Sequence, residues 1–474
     1  MSERVRSILK NLNYTVSANF IVLFVYAILY LIVPKFLDLE NYGLWQLYIL
    51  YSGYVGFFHL GWLDGIYLAI AGKEYRELDK QKLGTQFWYF LFFQCILSLF
   101  CIIFVSFFFK DKNLKVILCL TAISIIIVNC KQFVLFILQS TSRIKEYAQL
   151  SRTDRYIYVT VLIIYLLNFK SYLGVVILDL LSKLIMTVWG LYLIRDILFI
   201  KIKTFKSIFP DIINNIKSGS NLMFSNIASF LITGVTRVFV ERVWDIKTFG
   251  QLSLVLSISN MVLTFVNSVG VVMFPLLRKT NAKQLPVLYL NLRNLFVPFT
   301  FSLLTMYLPT KVILQIWLPQ YYQSVVYMGI LFPMIIFESR MALLVMTYLK
   351  TIRQERKILF SNLTALLFTI VFTFYSTIIE KSLSLTLIFL LVSIMIRCII
   401  AEVLLVKKEL KINISYDLFQ ETILVAVFIF SNYYIDTNSG HIIYPIIFCF
   451  YIFFIRKKIK KSIYFFNYII KNHN

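Results

Sequence analysis

The chain has 474 residues, of which 59% are hydrophobic and only 15% charged, with a formal net charge of +24. A soluble chain usually carries roughly 25% charged residues to solvate its surface, so a soluble globular fold is excluded. The bases stand in short clusters between apolar runs, a pattern of membrane topology and not of nucleic-acid binding, and no nucleic-acid partner is expected.

Long apolar runs without period-two alternation read as helices. Fourteen spans are predicted, near 15–35, 42–63, 86–109, 114–138, 154–168, 172–194, 219–239, 249–274, 295–309, 324–349, 358–379, 383–406, 418–435 and 441–456. The N-terminal stretch MSERVRSILKNLNYTVSANF has no cleavage motif, so the first span is expected to be retained. The second is interrupted by Gly53, Gly56 and Gly61, which leaves the count at thirteen or fourteen. It runs into FHLGWLDGIYLAIAGKEYRELDK, residues 57–79. Asp64 lies about 33 Å along a helix from Tyr42, which puts Asp64-Gly65 in a turn at the inner interface. There Asp64 either pairs with a cytosolic base as a gate or caps the following turn. His59 is expected to be a helix-end histidine bonded locally.

A charge at the helix centre costs at least about 2.5–3.5 kcal/mol on insertion scales, so each needs a reason. Lys131 of span four lies within two turns of the inner end and is expected to snorkel. Asp179 and Lys183 of span six stand at i,i+4. They form either a self-neutralised pair or a proton- or cation-linked pair facing a cavity. In span seven Asn226, Thr233, Arg237 and Glu241 share one face, the lining expected of a water-filled cavity; alternatively Arg237 and Glu241 pair near the outer interface. Glu338 and Arg340 of span ten point to nearly opposite faces, so each is expected to find a partner on another helix or to line an aqueous path. Arg397 sits in the middle of span twelve, and Glu402, near Lys407 and Lys408, is read as interfacial. Lys183, Arg237, Arg340 and Arg397, with Asn226 and Thr233, are the expected anion-binding groups, because a guanidinium fork matches phosphate. Asp64, Asp179, Glu338 and Glu241 are the coupling or gating candidates, with H+ or Na+ as coupling cation.

Bases favour one set of connections roughly threefold, which places both termini in the cytoplasm. The basic tail RKKIKKSIYFFNYIIKN reads as an inner-surface anchor or as a site for a partner enzyme. Shifting the chain by 207 positions lays Val33 on Val240, Asp38 on Asp245, Tyr42 on Phe249, Gly43 on Gly250 and Asn19 on Asn226. The offset equals six spans, so the two halves share one orientation, an architecture of transporters. The expected organisation is all-helical: a six-helix lobe over 1–206, a parallel six-helix lobe over 207–412, and two further helices with a basic tail over 413–474. The six cysteines fall in apolar runs without a CxxC pair, and no phosphate-binding loop or HExxH motif is present. Neither a metal nor a cofactor nor an enzyme activity is expected.

Three stretches carry a resemblance. NYGLWQLYILYSGYVGFFHLGWLDGIYL, VFVERVWDIKTFGQLSLVLSI and PMIIFESRMALLVMTYLKTIRQERKIL resemble the second span, the seventh-to-eighth junction and the tenth span of the polysaccharide repeat-unit flippases (Wzx type) of the MOP exporter superfamily. The resemblance implies two six-helix lobes around a central cavity, MATE-like in plan. The implied cargo is a polyprenyl-diphosphate-linked oligosaccharide, moved from the inner to the outer leaflet of the cytoplasmic membrane. Polysaccharide polymerases or glycosyltransferases are the implied partners. A drug or cation exporter of the same superfamily is the alternative, with Asp179 or Glu338 as its cation site; a membrane glycan polymerase or transferase is a third.

Overall fold

A computed structural model describes residues 24–279, 284–435 and 440–472, and these are helical with short connections and no strand among the described residues. The helices are α1 Phe24–Phe36, α2 Leu39–Ser52, α3 Trp62–Ile70, α4 Lys80–Phe108, α5 Lys112–Ser140, α6 Ile144–Asn168, α7 Tyr172–Leu193, α8 Phe205–Val243 and α9 Ile246–Lys279. There follow α10 Leu285–Trp317, α11 Pro319–Leu331, α12 Met334–Thr351, α13 Glu355–Ile379 and α14 Leu383–Leu410, then α15 Ser415–Ile429 and α16 Gly440–Asn472. Within their described parts, the expected segments overlap these helices, but the second, 42–63, is broken between α2 and α3, and the tenth, 324–349, is bent between α11 and α12. Among the described residues, eight helices are long and apolar enough to cross a membrane alone, or nine if α11 and α12, bent by 53°, make one span. The start of the first expected span, and Asn19 with it, lie outside the described residues.

The chain divides into two compact units at Phe230–Leu231, inside α8; the boundary expected at 206 lies at the start of the same helix. Aspartates set several helix starts. Asp38, Asp79, Asp111 and Asp245 each accept the amide of the residue three positions on, at 2.6–2.9 Å, which satisfies one of the donors a helix leaves open at its beginning. Asp38 and Asp245 are partners at the 207-residue offset, and each is followed by a fully buried ring, Tyr42 and Phe249.

In the unit Leu31–Phe230, burial is inverted relative to a soluble protein. α4 turns Gln86, Gln94 and Ser98 inward and exposes Phe92, Ile96, Phe100 and Phe107. Hydrocarbon is as apolar as leucine, so polar contacts and close packing, not hydrophobic burial, hold such helices together. The second span breaks after Ser52: a 3-10 turn, Val55–His59, is followed by Leu60 and Gly61, both left-handed. The break takes carbonyls out of the helical ladder, and buried side chains take them up. Asn129 Nδ2 donates to the Val55 carbonyl at 3.1 Å and to Gln94 Oε1 at 2.9 Å, while Gln94 Nε2 donates to the Phe58 carbonyl at 3.2 Å. The turn at Leu60-Gly61 corrects the expected one at Asp64-Gly65. Only Gly61 and its predecessor leave the helical region, so Asp64 falls in the first turn of α3.

α3 meets α8 backbone to backbone. A methyl on Gly65 would lie 2.0 Å from the Asn215 carbonyl oxygen, and one on Gly219 would lie 2.1 Å from the Gly61 carbonyl oxygen. Gly61 and Gly65 thus form a small-xxx-small face that lets the two helices approach closely. At the start of α4, Tyr75 and Lys80 both engage Asp196, at 2.7 Å each. Burial alone raises the Asp196 carboxyl, and these two bonds outweigh it and hold it below its ordinary value.

In the unit from Leu231 on, Pro333 stands at the bend between α11 and α12, where it removes a helical donor. α12 packs against α9, α10 and α14, and Ile335, Ile336, Phe337 and Leu344 are fully buried. A helix apolar all round belongs in the centre of a bundle. Charges on it therefore have only other helices to meet.

The glycine contact yields the first prediction. Gly65→Leu lowers the melting temperature of the purified protein in detergent and its yield, whereas Gly56→Ala, whose added methyl meets nothing within 4 Å, leaves both unchanged. Equal behaviour of the two variants contradicts the close-approach account.

Candidate functional site

The intramembrane charges gather in two sets, one in each unit. In the unit Leu31–Phe230 the centre is Asp179 of α7. Its carboxylate accepts from Lys183 Nζ at 2.5 Å, Tyr48 Oη at 2.8 Å and Arg155 Nη1 at 3.2 Å. Lys131 of α5 donates to Asp154 of α6 at 2.8 Å, and Asp154 Oδ1 accepts the Arg155 amide at 2.9 Å. The expected snorkelling of Lys131 is thus corrected. Both Lys131 and Asp154 have largely buried side chains, and a carboxylate on the next helix takes up the ammonium group. Asp179 and Lys183 do form the i,i+4 pair, extended by Arg155 and Tyr48 from two other helices.

His59 and Asp64 stand together on either side of the left-handed turn. The Gly61 amide donates to His59 Nδ1 at 3.0 Å, so the ring proton sits on Nε2, which lies 3.6 Å from Asp64 Oδ2. Both side chains are buried. His59 is locally bonded, as expected. Asp64 faces that histidine and not a cytosolic base, and the α3 start has Gly61, which has no side chain to cap with.

In α8, Asn226 is exposed and Thr233, Arg237 and Glu241 are half-buried. Arg237 Nη2 donates to Ser253 Oγ of α9 at 2.9 Å and its guanidinium lies over the Phe249 ring, 5.2 Å from the centroid. Glu241 Oε2 is 3.3 Å from Arg242 Nε.

The second set ties together five helices of the unit from Leu231 on. Glu338 of α12 is bonded by Arg397 of α14. Two residues on and nearly opposite, Arg340 is bonded to Glu421 of α15, lies 3.4 Å from Glu402 of α14, and donates from Nε to Cys398 Sγ at 3.3 Å. Arg293 of α10 donates to Glu402 at 2.8 Å and to both oxygens of Glu421 at 2.8 and 3.1 Å. Tyr289 adds a hydroxyl to Glu402 at 2.8 Å. At the edge, Asp417 is 3.7 Å from Arg293 and accepts from Lys458 of α16 at 2.6 Å. Arg293, Arg340, Glu402 and Glu421 are all at most 3% exposed, and two cations face two anions.

This set corrects the reading of Glu402 as interfacial. Lys407 and Lys408 sit about 140° and 240° round the helix from it and are exposed, whereas Glu402 points inward. Arg293, Glu421, Asp154 and Arg155 were not singled out from the sequence. Arg293 fell in a segment read as a connection because the ninth span was started at 295, while α10 begins at Leu285. For Glu421 a signal existed: with Asp417 at i,i+4 it makes an acidic face on an otherwise apolar helix. Among the described residues no group of three His, Cys, Asp or Glu side chains is arranged to hold a metal ion.

The sequence pattern of the polysaccharide biosynthesis protein family matches residues 8–281, more than half of the chain. No curated protein matches it. Among solved structures the fold resembles an inward-facing multidrug resistance MATE family transporter of the MOP superfamily. The TM-score is 0.61 at 13% identity, over 85% of this chain and 95% of that one. It also resembles the lipid II flippase MurJ in an inward closed conformation, with a TM-score of 0.57 at 12% identity, over 95% of this chain and all of that one.

Removing one partner of a buried pair costs about 3–5 kcal/mol because the other charge is left in a low dielectric, while removing both together is often nearly neutral. Arg397→Met therefore lowers unfolding stability in detergent by about that amount, and Arg397→Met with Glu338→Met recovers most of the loss. Additive losses in the double variant contradict a direct pair. Arg293→Met is the more severe change, because Glu402 and Glu421 then share Arg340 alone.

Proposed function

The chain belongs to the polysaccharide biosynthesis protein family, and on that footing we propose that it is a flippase. It carries a polyprenyl-diphosphate-linked oligosaccharide from the inner to the outer leaflet of the cell membrane, with both termini cytoplasmic, by alternating access. The family match is the observation that carries this reading. One of the solved structures sharing the fold, itself a lipid II flippase, supports it. The protein acts as a transporter and not as a catalyst.

The chemistry fits the cargo. A diphosphate bearing sugars loses its water on entering hydrocarbon, and fixed guanidinium groups replace part of it. Arg237, which reaches Ser253 and lies over the Phe249 ring, is a proposed phosphate ligand, with Thr233 and Asn226 on the same face of that helix as hydroxyl and amide contacts. Lys183, Arg340 and Arg397 hold carboxylates in this structure, so they reach an anion only when those pairs open. Asp179 and Glu338 are accordingly the proposed coupling groups, and Asp64 and Glu241 the proposed gating groups. Binding H+ or Na+ at a carboxylate releases its base for the cargo. The MATE fold relative favours a second reading, a drug or cation exporter.

Deletion of the gene separates the two. The flippase reading expects carrier-linked oligosaccharide to accumulate, protected from a membrane-impermeant oxidant applied to spheroplasts, with Arg237→Leu failing to restore the wild-type pool at normal protein level. An unchanged carrier pool with increased drug susceptibility favours the exporter; full complementation by Arg237→Leu removes that residue from the binding site.

A further inference from the structure

We propose that the outward face of α16 over residues 453–464 is a binding surface for anionic phospholipid headgroups. α16 runs for 33 residues, about 50 Å at 1.5 Å per residue, against a hydrocarbon thickness of about 30 Å. The helix therefore continues well past the membrane core as one piece. Its inner face is fixed: Ile455 and Ser462 are buried, Asn294 of α10 donates to Ser462 Oγ at 3.3 Å, and Lys458 is held by Asp417. These three residues lie within about 60° of one another round the helix.

The opposite arc has a different composition. Phe453, Phe454, Arg456, Lys457, Lys460, Lys461 and Tyr464 follow round it, all exposed. It bears no acid, and the nearby Asp417 is already engaged on the inner side. The order along the axis is as informative as the charge. Phe453 and Phe454 come first, at the end of the apolar run that stops at Ile455, where the hydrocarbon boundary is expected. The four bases follow over about 7.5 Å along the helix, comparable with the headgroup layer, about 5–8 Å on each side of the hydrocarbon core. The Arg456 guanidinium covers the Phe453 ring at 4.1 Å, so it spans that boundary. Juxtamembrane bases at such a surface attract anionic lipids cumulatively, and the inner face, being packed, holds them in one row.

The test uses the purified full chain with phosphatidylglycerol or phosphatidylcholine added in detergent, lipid retention being counted by native mass spectrometry. Wild type is expected to retain phosphatidylglycerol preferentially, and Arg456→Gln/Lys457→Gln/Lys460→Gln/Lys461→Gln to lose about tenfold or more in apparent affinity, with phosphatidylcholine unaffected. Should the quadruple variant fold poorly, Lys460→Gln/Lys461→Gln is expected to show a partial loss, and Lys407→Gln/Lys408→Gln, equal in charge but on another helix, none. Unchanged phosphatidylglycerol preference in both α16 variants overturns the proposal. So does a defect of these variants in cells without any change in lipid retention, which assigns the face to a protein partner.

Discussion

An ionised side chain deep in a membrane protein must be matched by an opposite charge, and Arg340 shows how far that demand reaches. It is 1% exposed, on a helix most of whose side chains are buried among its neighbours. Its counter-charges, Glu402 and Glu421, come from two further helices, and Arg293 on a fourth completes the balance. Lys458 extends the same chain of contacts to α16 through Asp417. Five helices, α10, α12, α14, α15 and α16, are thus registered by groups that tolerate little displacement. Energetically such a network is weak as a source of net stability and strong as a specifier of arrangement, because any other packing leaves a charge bare.

The backbone obeys the same rule. The second span could be broken only because Asn129 and Gln94 stand ready to bond the Val55 and Phe58 carbonyls, and because glycines let α3 lie directly on α8. Without hydrophobic drive between helices, α4 turns its amides inward and its phenylalanines outward. The break then becomes a stable feature that presents His59 and Asp64 side by side.

The helices were legible because membrane crossing demands long apolar runs, and runs are a local property of sequence. The opposed directions of Glu338 and Arg340 were legible for the same reason, since helical geometry sends residues two apart to opposite faces. Which helix supplies the partner is not local. Nothing in the spacing of Arg293, Glu402 and Glu421 shows that they converge, and Arg293 was hidden further by a span start placed ten residues late. Lys131 and Glu402 were misread in one way: each was referred to an interface along its own helix, when a neighbouring helix supplied a counter-charge. Asp64 was misplaced by one turn because an unbroken rise per residue was assumed across a segment that contains a 3-10 turn and two left-handed residues.

A functional consequence follows from the pairing. On the proposed reading, Lys183, Arg340 and Arg397 hold carboxylates, so a cation taken up by the acid and an anionic cargo taken up by the base would open the same pairs together. The most direct test of the flippase account is translocation by the purified protein alone. Reconstituted into vesicles with a polyprenyl-diphosphate-linked oligosaccharide, it should equilibrate the glycan between leaflets, so that a glycan-cleaving enzyme added outside reaches the whole pool. Cleavage that stops at the outer leaflet's share, with or without an imposed ion gradient, would contradict the account.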